Sequence, residues 1–320
     1  MSRGNKLHLP HITVIVPVLN GEKVIGSCIK SLLNLDYPSQ KLEIIVVDNN
    51  STDRTAKIIK SLPVKYIFEE KIGISAARNA GIKQAKGEII VFTDSDCLVN
   101  KNWLKEHVKS HVDKSIAAVG GFVKDKKSEN IYERWSEKTY FVSPIEDFVD
   151  SIIGCNMSFR AGFLKGHFFD ENIVYGADES DLCQRVLKAG FKIYYNPKAI
   201  VLHKHRSTLL AIIKKYFRLG KGEIYFRKKH ELEINYFRII LLSLCVFFFV
   251  LSIFGKFFLL FFFVFFLYFL YKIFFYGIRS APKSFKEKII IFPIEFFAST
   301  SYLLGQIWVL MRTTIPKLVF

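Results

Sequence analysis

The chain has 320 residues, half of them hydrophobic, and 46 Lys+Arg against 29 Asp+Glu give a net charge of +17. That apolar content excludes a disordered chain. Its uneven spread, with 15 of the 32 phenylalanines between Phe237 and Phe275, excludes an ordinary soluble enzyme and predicts a soluble part joined to a membrane part.

The first twelve residues lack an apolar core, so no signal peptide is expected. Residues 12–18 (ITVIVPV) form an unbroken apolar run rich in β-branched side chains, the pattern of a strand buried on both faces. Helical periodicity follows over 22–34 and stops at Asp36-Tyr37-Pro38. The alternation then repeats. Strands are predicted at 43–47, 64–68 and 88–92, and helices at 55–62 and 75–85. Strands alternating with helices predict an α/β domain with a mostly parallel sheet covered on both faces. Ligands bind such sheets beyond the carboxyl ends of the strands. The polar clusters at 20–22, 48–53 and 94–96 all fall there. Neither a G-x-G-x-x-G dinucleotide fingerprint nor a P-loop is present. A sugar nucleotidyltransferase would want a Gly-rich basic loop after the first strand, and 18–23 supplies only Gly21 and Lys23.

Asp178-Glu179-Ser180-Asp181 opens a further helix that Gly190 stops, and the strand-like run 199–202 leads to His203. Ten Lys/Arg against three Glu then lie between Lys204 and Arg238, with Leu209, Ile212, Ile213, Tyr216, Phe217 and Gly220 at helical spacing. This predicts a basic amphipathic helix at a membrane surface. Residues 239–255 and 257–271 carry no charge. One helix over 239–278 would be about 60 Å long, roughly twice a hydrocarbon core, so Gly255-Lys256 is read as the turn of a hairpin. A third apolar segment, 289–311, contains Pro293, Glu295 and Gln306, and both a spanning and an interfacial reading are open. The predicted organisation is an α/β domain over 1–203, a juxtamembrane segment over 204–236, and a membrane region over 237–320 with helices at 237–255, 257–278 and 289–311. The positive-inside rule puts the α/β domain on the cytoplasmic side of a multi-pass cell-membrane protein. Because the excess charge flanks the apolar segments, the expected partner is anionic lipid and not nucleic acid. Five cysteines without a C-x-x-C argue against a disulfide framework or a zinc site and fit a reducing compartment.

Three features carry chemistry. Asp94 and Asp96, one residue apart on a turn, can face one Mg²⁺ or Mn²⁺ bridged to a diphosphate, or can simply cap the next helix. One of the acids at 178–181 can be a general base, or all can be helix caps. Arg78 can hold a phosphate or an internal carboxylate, and His203 can be structural or a metal ligand.

These segments resemble the family 2 inverting glycosyltransferases of GT-A fold. The carriers are I-V-P-V-L-N-G-E from Ile15, the Tyr37-Pro38 turn, V-D-N-N-S-T-D from Val47, G-I-S-A-A-R-N-A-G from Gly73, and T-D-S-D from Thr93. G-C-N-M-S-F-R from Gly154 and G-A-D-E-S-D-L-C-Q-R from Gly176 complete the series. Each motif is short, but they occur in order at family-like spacing. The resemblance implies that Pro17, Val18, Asn20 and Glu22 line a nucleotide pocket, that Asp48 binds the base, and that Arg78 helps hold the nucleotide. Asp94 and Asp96 would contact ribose and metal–diphosphate, with His203 as a third metal ligand, and Asn156 would lie in the sugar and acceptor pocket. Members commonly carry Glu-Asp where this chain has Asp178-Glu179. Register puts Glu179 in the base position, with Asp178 the fallback. No Q-x-x-R-W is present, which implies a single-addition transferase. The implied activity is inverting transfer from a nucleotide sugar, UDP-linked, to a lipid-linked or cell-surface glycan. Transfer to a polyisoprenyl phosphate and a degenerate membrane scaffold are the alternatives.

Overall fold

The computed structural model describes residues 9–126, 130–137, 145–173, 176–236 and 285–314, with scattered positions between 239 and 267. The chain divides into two compact units. The first is Met1–Lys126, Val142–Val174 and Asp178–Lys204; the second is Lys127–Phe141, Tyr175–Ala177 and His205–Phe320.

The first unit begins with the predicted alternation: β1 (Ile12–Val18), α1 (Ile25–Leu33), β2 (Leu42–Asp48), α2 (Thr55–Lys60), β3 (Lys65–Phe68), α3 (Ile74–Gln84) and β4 (Ile89–Thr93). Strand β1 shows why. Ile12, Val14, Val16 and Val18 enter one core and Ile15 the other, the two-residue period of a strand with no solvated face. Helix α1 buries Ile25, Cys28, Ile29 and Leu32, an i, i+3, i+4, i+7 stripe, in the first of those cores. Ala77 and Ile82 of α3 pack in the second.

Beyond β4 the sequence pattern had given less. The structure adds β5 (Cys97–Val99), α4 (Trp103–Ser110) and β6 (Ile116–Asp125). After α5 (Ile131–Glu137), which belongs to the second unit, come β7 (Asp147–Phe148), β8 (Asn156–Arg160), α6 (Ala161–Leu164), α7 (Asp178–Lys188) and β9 (Lys192–His203). The sheet order is β3-β2-β1-β4-β8-β6-β9-β5, with β7 also on β9. The expectation of a mostly parallel sheet is corrected. Strands β3, β2, β1 and β4 run parallel, as do β6 and β9, but the β4–β8, β8–β6, β9–β5 and β9–β7 pairs are antiparallel. Strand β8 escaped detection because it alternates. Met157 and Phe159 fill a core, while buried Asn156 and Ser158 bond to polar side chains of α4 and of His111 just after it, so no apolar run marks it.

The second unit is helical. Helix α8 (Leu209–Lys229) starts at Thr208, whose Oγ1 accepts from the Ala211 N–H at 3.2 Å. It packs on α9 (Phe285–Thr314), which runs through Pro293. A Cβ on Gly220 would lie 1.9 Å from the Tyr302 carbonyl oxygen, and one on Gly305 would lie 2.1 Å from that of Phe217. The two backbones approach this closely only because both positions lack a side chain. Glu295, an awkward acid in an apolar segment, is buried and accepts from Trp135 Nε1 at 2.6 Å. Among the described residues one helical stretch, Pro293–Arg312, is long and apolar enough to cross a membrane. The spans expected at 237–255 and 257–278 lie largely outside the described residues.

Candidate active site

The first two loops at the carboxyl edge of the sheet are fastened to each other. Asn20, in left-handed conformation at φ 54°, accepts at Oδ1 from the Thr52 N–H at 2.8 Å, and its own N–H donates to Ser51 Oγ at 2.9 Å. Gly21 N–H donates to Thr55 Oγ1 and Glu22 N–H to Asp53 Oδ2. Glu22 in turn accepts from Arg54. Asp48 ends β2 buried, accepting from the Ser51 N–H at 3.0 Å and from the Tyr66 hydroxyl at 3.1 Å. Pro17 and Val18 are buried at the end of β1, registered with Val47 and Asp48. The structure therefore brings Pro17, Val18, Asn20, Glu22 and Asp48 to one end of the two parallel strands.

Next to β1, strand β4 delivers the acidic turn. Strand β5 follows the turn at once and pairs antiparallel with the end of β9, which sets Cys97 opposite His203. His203 Nε2 thus comes within 3.5 Å of Asp96 Oδ1, and ligating atoms of Asp94, Asp96 and His203 all lie within 4.8 Å of one another. Asp94 Oδ1 is shielded from solvent and makes no hydrogen bond; its nearest cation is Arg78 Nη2 at 3.6 Å. Enclosure pushes the Asp94 carboxyl up against the opposing pull of Arg78, and the Asp96 charge adds to the rise. Two carboxylates and one imidazole with an unsatisfied shielded oxygen are a donor set that fits a hard divalent cation.

Arg78 joins this turn to α7. It is buried on α3, its Nη1 donates to Asp178 Oδ2, and its Nη2 donates to the Gly154 carbonyl at 3.2 Å. A Cβ on Gly154 would sit 2.8 Å from Nη2, so glycine there admits the guanidinium. Burial pulls the Arg78 pKa down, but Asp178, Asp94 and Glu179 more than reverse it. Arg78 thus faces two carboxylates, Asp178 and Asp94. Asp178 is thereby neutralised in an ion pair. Glu179 is half-buried in the same first turn, and burial together with the neighbouring Asp178 pushes its carboxyl up to about 8. Asp181 instead accepts from Arg185 at 2.8 Å on the same helix.

Asn156 is in a different situation. It is fully buried, its Oδ1 takes Trp103 Nε1 at 2.8 Å and His107 Nε2 at 3.0 Å, and its Nδ2 donates to the Phe122 and Ala199 carbonyls. Those bonds use the amide's whole capacity. Asn156 belongs to a scaffold that also includes Ser158 and His111, linked at 2.8 and 2.9 Å through Ser158 Oγ. No local motif marks Trp103 and His107, because Asn156, their partner, lies 53 and 49 residues away.

Comparison with known proteins agrees with this fold. Residues 13–170 match the family model described as glycosyl transferase family 2. Over those residues the chain is similar to the family 2 glycosyltransferases. It is 29% identical over 240 residues to glycosyltransferase AglE of Haloferax volcanii, covering 68% of this chain and 74% of that one. It is 27% identical over 244 residues to a Methanococcus voltae enzyme, dolichyl N-acetyl-alpha-D-glucosaminyl phosphate 3-beta-D-2,3-diacetamido-2,3-dideoxy-beta-D-glucuronosyltransferase, covering 66% and 72%. In fold it is similar to the mannosyltransferase PcManGT from Pyrobaculum calidifontis in complex with GDP-Man and Mn²⁺, with a TM-score of 0.57, 20% identity and coverage of 98% and 77%. The domain has the GT-A-like mixed sheet flanked by helices.

Proposed function

We propose that this glycosyltransferase is a membrane-anchored, inverting, non-processive enzyme that moves a sugar from a nucleotide-sugar donor to a lipid-linked or cell-surface glycan acceptor. The observation that carries the reading is the bridge through Arg78, which ties the Asp94 turn to the first turn of α7 where Glu179 stands. Leaving-group and base functions thereby share one corner.

Asp94, Asp96 and His203 would hold Mg²⁺ or Mn²⁺, which supplies neutralising charge for a departing diphosphate. The chain's own groups do the rest. Pro17, Val18, Asn20, Glu22 and Asp48 form the nucleotide end, and the mutual fastening of their loops means little reorganisation on binding. Arg78 keeps Asp178 neutralised and fixes both acid-bearing elements. Glu179 accepts the proton of the acceptor hydroxyl while that oxygen bonds to the anomeric carbon and the bond to the diphosphate breaks on the opposite face. A single displacement inverts the centre, so an α-linked donor yields a β product. A carboxyl held near neutrality is suited to a base at cellular pH.

The lipid-linked acceptor is supported by the Methanococcus voltae relative, whose name specifies a dolichyl-phosphate-linked sugar as its acceptor. The helix Pro293–Arg312, the apolar runs before it and the basic residues of α8 support a cell-membrane location beside anionic lipid, with the catalytic domain cytoplasmic. The complete acid set weighs against a degenerate scaffold. The test is a panel of UDP-linked sugars with GDP-mannose, the Pyrobaculum protein's ligand, assayed with membrane lipid extract and read by product mass. A single hexose or N-acetylhexosamine added to a lipid-linked sugar is expected. Addition to bare polyisoprenyl phosphate would favour the alternative acceptor, and hydrolysis alone across the panel would contradict transfer.

A further inference from the structure

A second donor set adjoins the acidic turn. Cys97, Cys155 and His203 are all buried, and one ligand atom of each lies within 4.8 Å of the other two. Cys97 opens β5, Cys155 directly precedes β8, and His203 closes β9, so three strands distant in sequence deliver them. Cys97 and Cys155 are 58 residues apart, which is why the spacing of cysteines in the sequence pointed away from a zinc site.

The chemistry of this set differs from that of the two aspartates. Thiolate and imidazole select zinc and other thiophilic cations, whereas carboxylate suits magnesium and manganese. Two cysteines and one histidine with a fourth position open are a recognised zinc arrangement. Asp96 Oδ1, 3.9 Å from Cys97 Sγ and 3.5 Å from His203 Nε2, stands near that position. Tetrahedral bonds of about 2.3 Å to sulfur and about 2.0–2.1 Å to nitrogen put ligand atoms roughly 3.3–3.8 Å apart. From separations of up to 4.8 Å the set has to contract by at most about 1.0–1.5 Å to reach this. Cys28 supplies the contrast. It is buried nearby, with Sγ 3.6 Å from the Asp94 carbonyl, yet it is outside the set.

We propose that Cys97, Cys155 and His203 bind a thiophilic divalent cation, zinc being the physiological candidate, and that this cation excludes the hard one by taking His203. Each thiol releases its proton to solvent as its sulfur bonds the metal, and no electrons are transferred. The exclusion rests on the assignment of His203 to the Asp94–Asp96 site; the thiol site does not.

The test uses the full chain, kept reduced with a phosphine and titrated with Cd²⁺. One equivalent is expected to bind with a thiolate-to-cadmium charge-transfer band. Cys97→Ser and Cys155→Ser should each weaken binding by more than the roughly 10–100-fold that outer-shell changes cost, while Cys28→Ser keeps it. No band, a band unchanged in both variants, or one lost equally in Cys28→Ser overturns the site. If a serine variant fails to fold, the ¹¹³Cd resonance of the wild-type complex decides: a shift for two sulfur ligands supports the site and a shift for none overturns it. Mn²⁺ monitored by paramagnetic resonance should be released as Cd²⁺ binds, and both ions held together would overturn the exclusion. Cd²⁺ uptake by a protein that never binds Mn²⁺ would refute the hard-cation assignment and leave the thiol site standing.

Discussion

The two halves of the sheet treat their polar groups differently. At the ends of β1 and β2 the loops satisfy one another, with Asn20 on Thr52, Asp53 on Thr55 and Asp48 on Ser51 and Tyr66. Across β4, the Asp94–Arg78–Asp178 corner keeps a shielded Asp94 oxygen without a hydrogen bond and a carboxyl at Glu179 pushed up to about 8. Buried polar groups in native proteins are ordinarily satisfied, and exceptions call for an explanation. The first half is built to hold a shape, and the second is built to receive charge.

The sharpest way to break that contrast is at Glu179. Glu179→Gln keeps the shape of the side chain and removes the base, so kcat for nucleoside diphosphate release should fall about 10²–10⁴-fold with little change in donor KM. In the wild type, kcat/KM should rise with pH up to about 8, because the base works only when deprotonated, and the variant should lose that limb. A wild-type rate in Glu179→Gln would move the base to Asp178.

Arg78→Met tests the bridge. It leaves Asp178 buried without its cation, so stability should drop by about 3–5 kcal/mol, read as a lower denaturant midpoint, with activity lost as well. Asn156 should behave as scaffold. Asn156→Leu strands the Trp103 and His107 ring nitrogens and the Phe122 and Ala199 carbonyls, costing about 2–5 kcal/mol. A selective change in sugar KM with an unaltered midpoint would return Asn156 to the pocket.

The same network predicts an acid weakness. Burial pushes His107 down to about 4 and His111 to about 3, so below about pH 6.5 the unfolded chain binds more protons than the native one. Stability should therefore fall as pH drops from about 6.5 towards 4, and replacing both histidines with asparagine should flatten that slope. The smallest effect belongs to the fastened loops. Asn20→Ala loses the bonds that Oδ1 accepts from the Thr52 N–H and hydroxyl and puts alanine at φ 54°, which costs about 1–2 kcal/mol and should raise donor KM several-fold with kcat nearly intact.

The same contrast divides what could be read in advance. Residues 12–93 declared themselves because parallel strands buried on both faces write continuous apolar runs, and the helices between them write stripes. Strand β8 did not, since its inner-facing Asn156 and Ser158 look like loop residues until α4 and the residue after it supply His107 and His111. Asp94, Asp96, Glu179 and His203 were visible as motifs. Their convergence, and the pairing of Arg78 with Asp178, depend on strand order and are not written locally. The cysteine pair is the extreme case, joined only by the sheet.

One measurement bears most directly on convergence at the acidic corner: the anomeric configuration of the product, followed by NMR, with and without a chelator. A β-linked product from an α-linked donor is expected, formed with Mg²⁺ or Mn²⁺ and lost on chelation and in Asp96→Ala. Retained configuration, or undiminished transfer in the presence of the chelator, would contradict it.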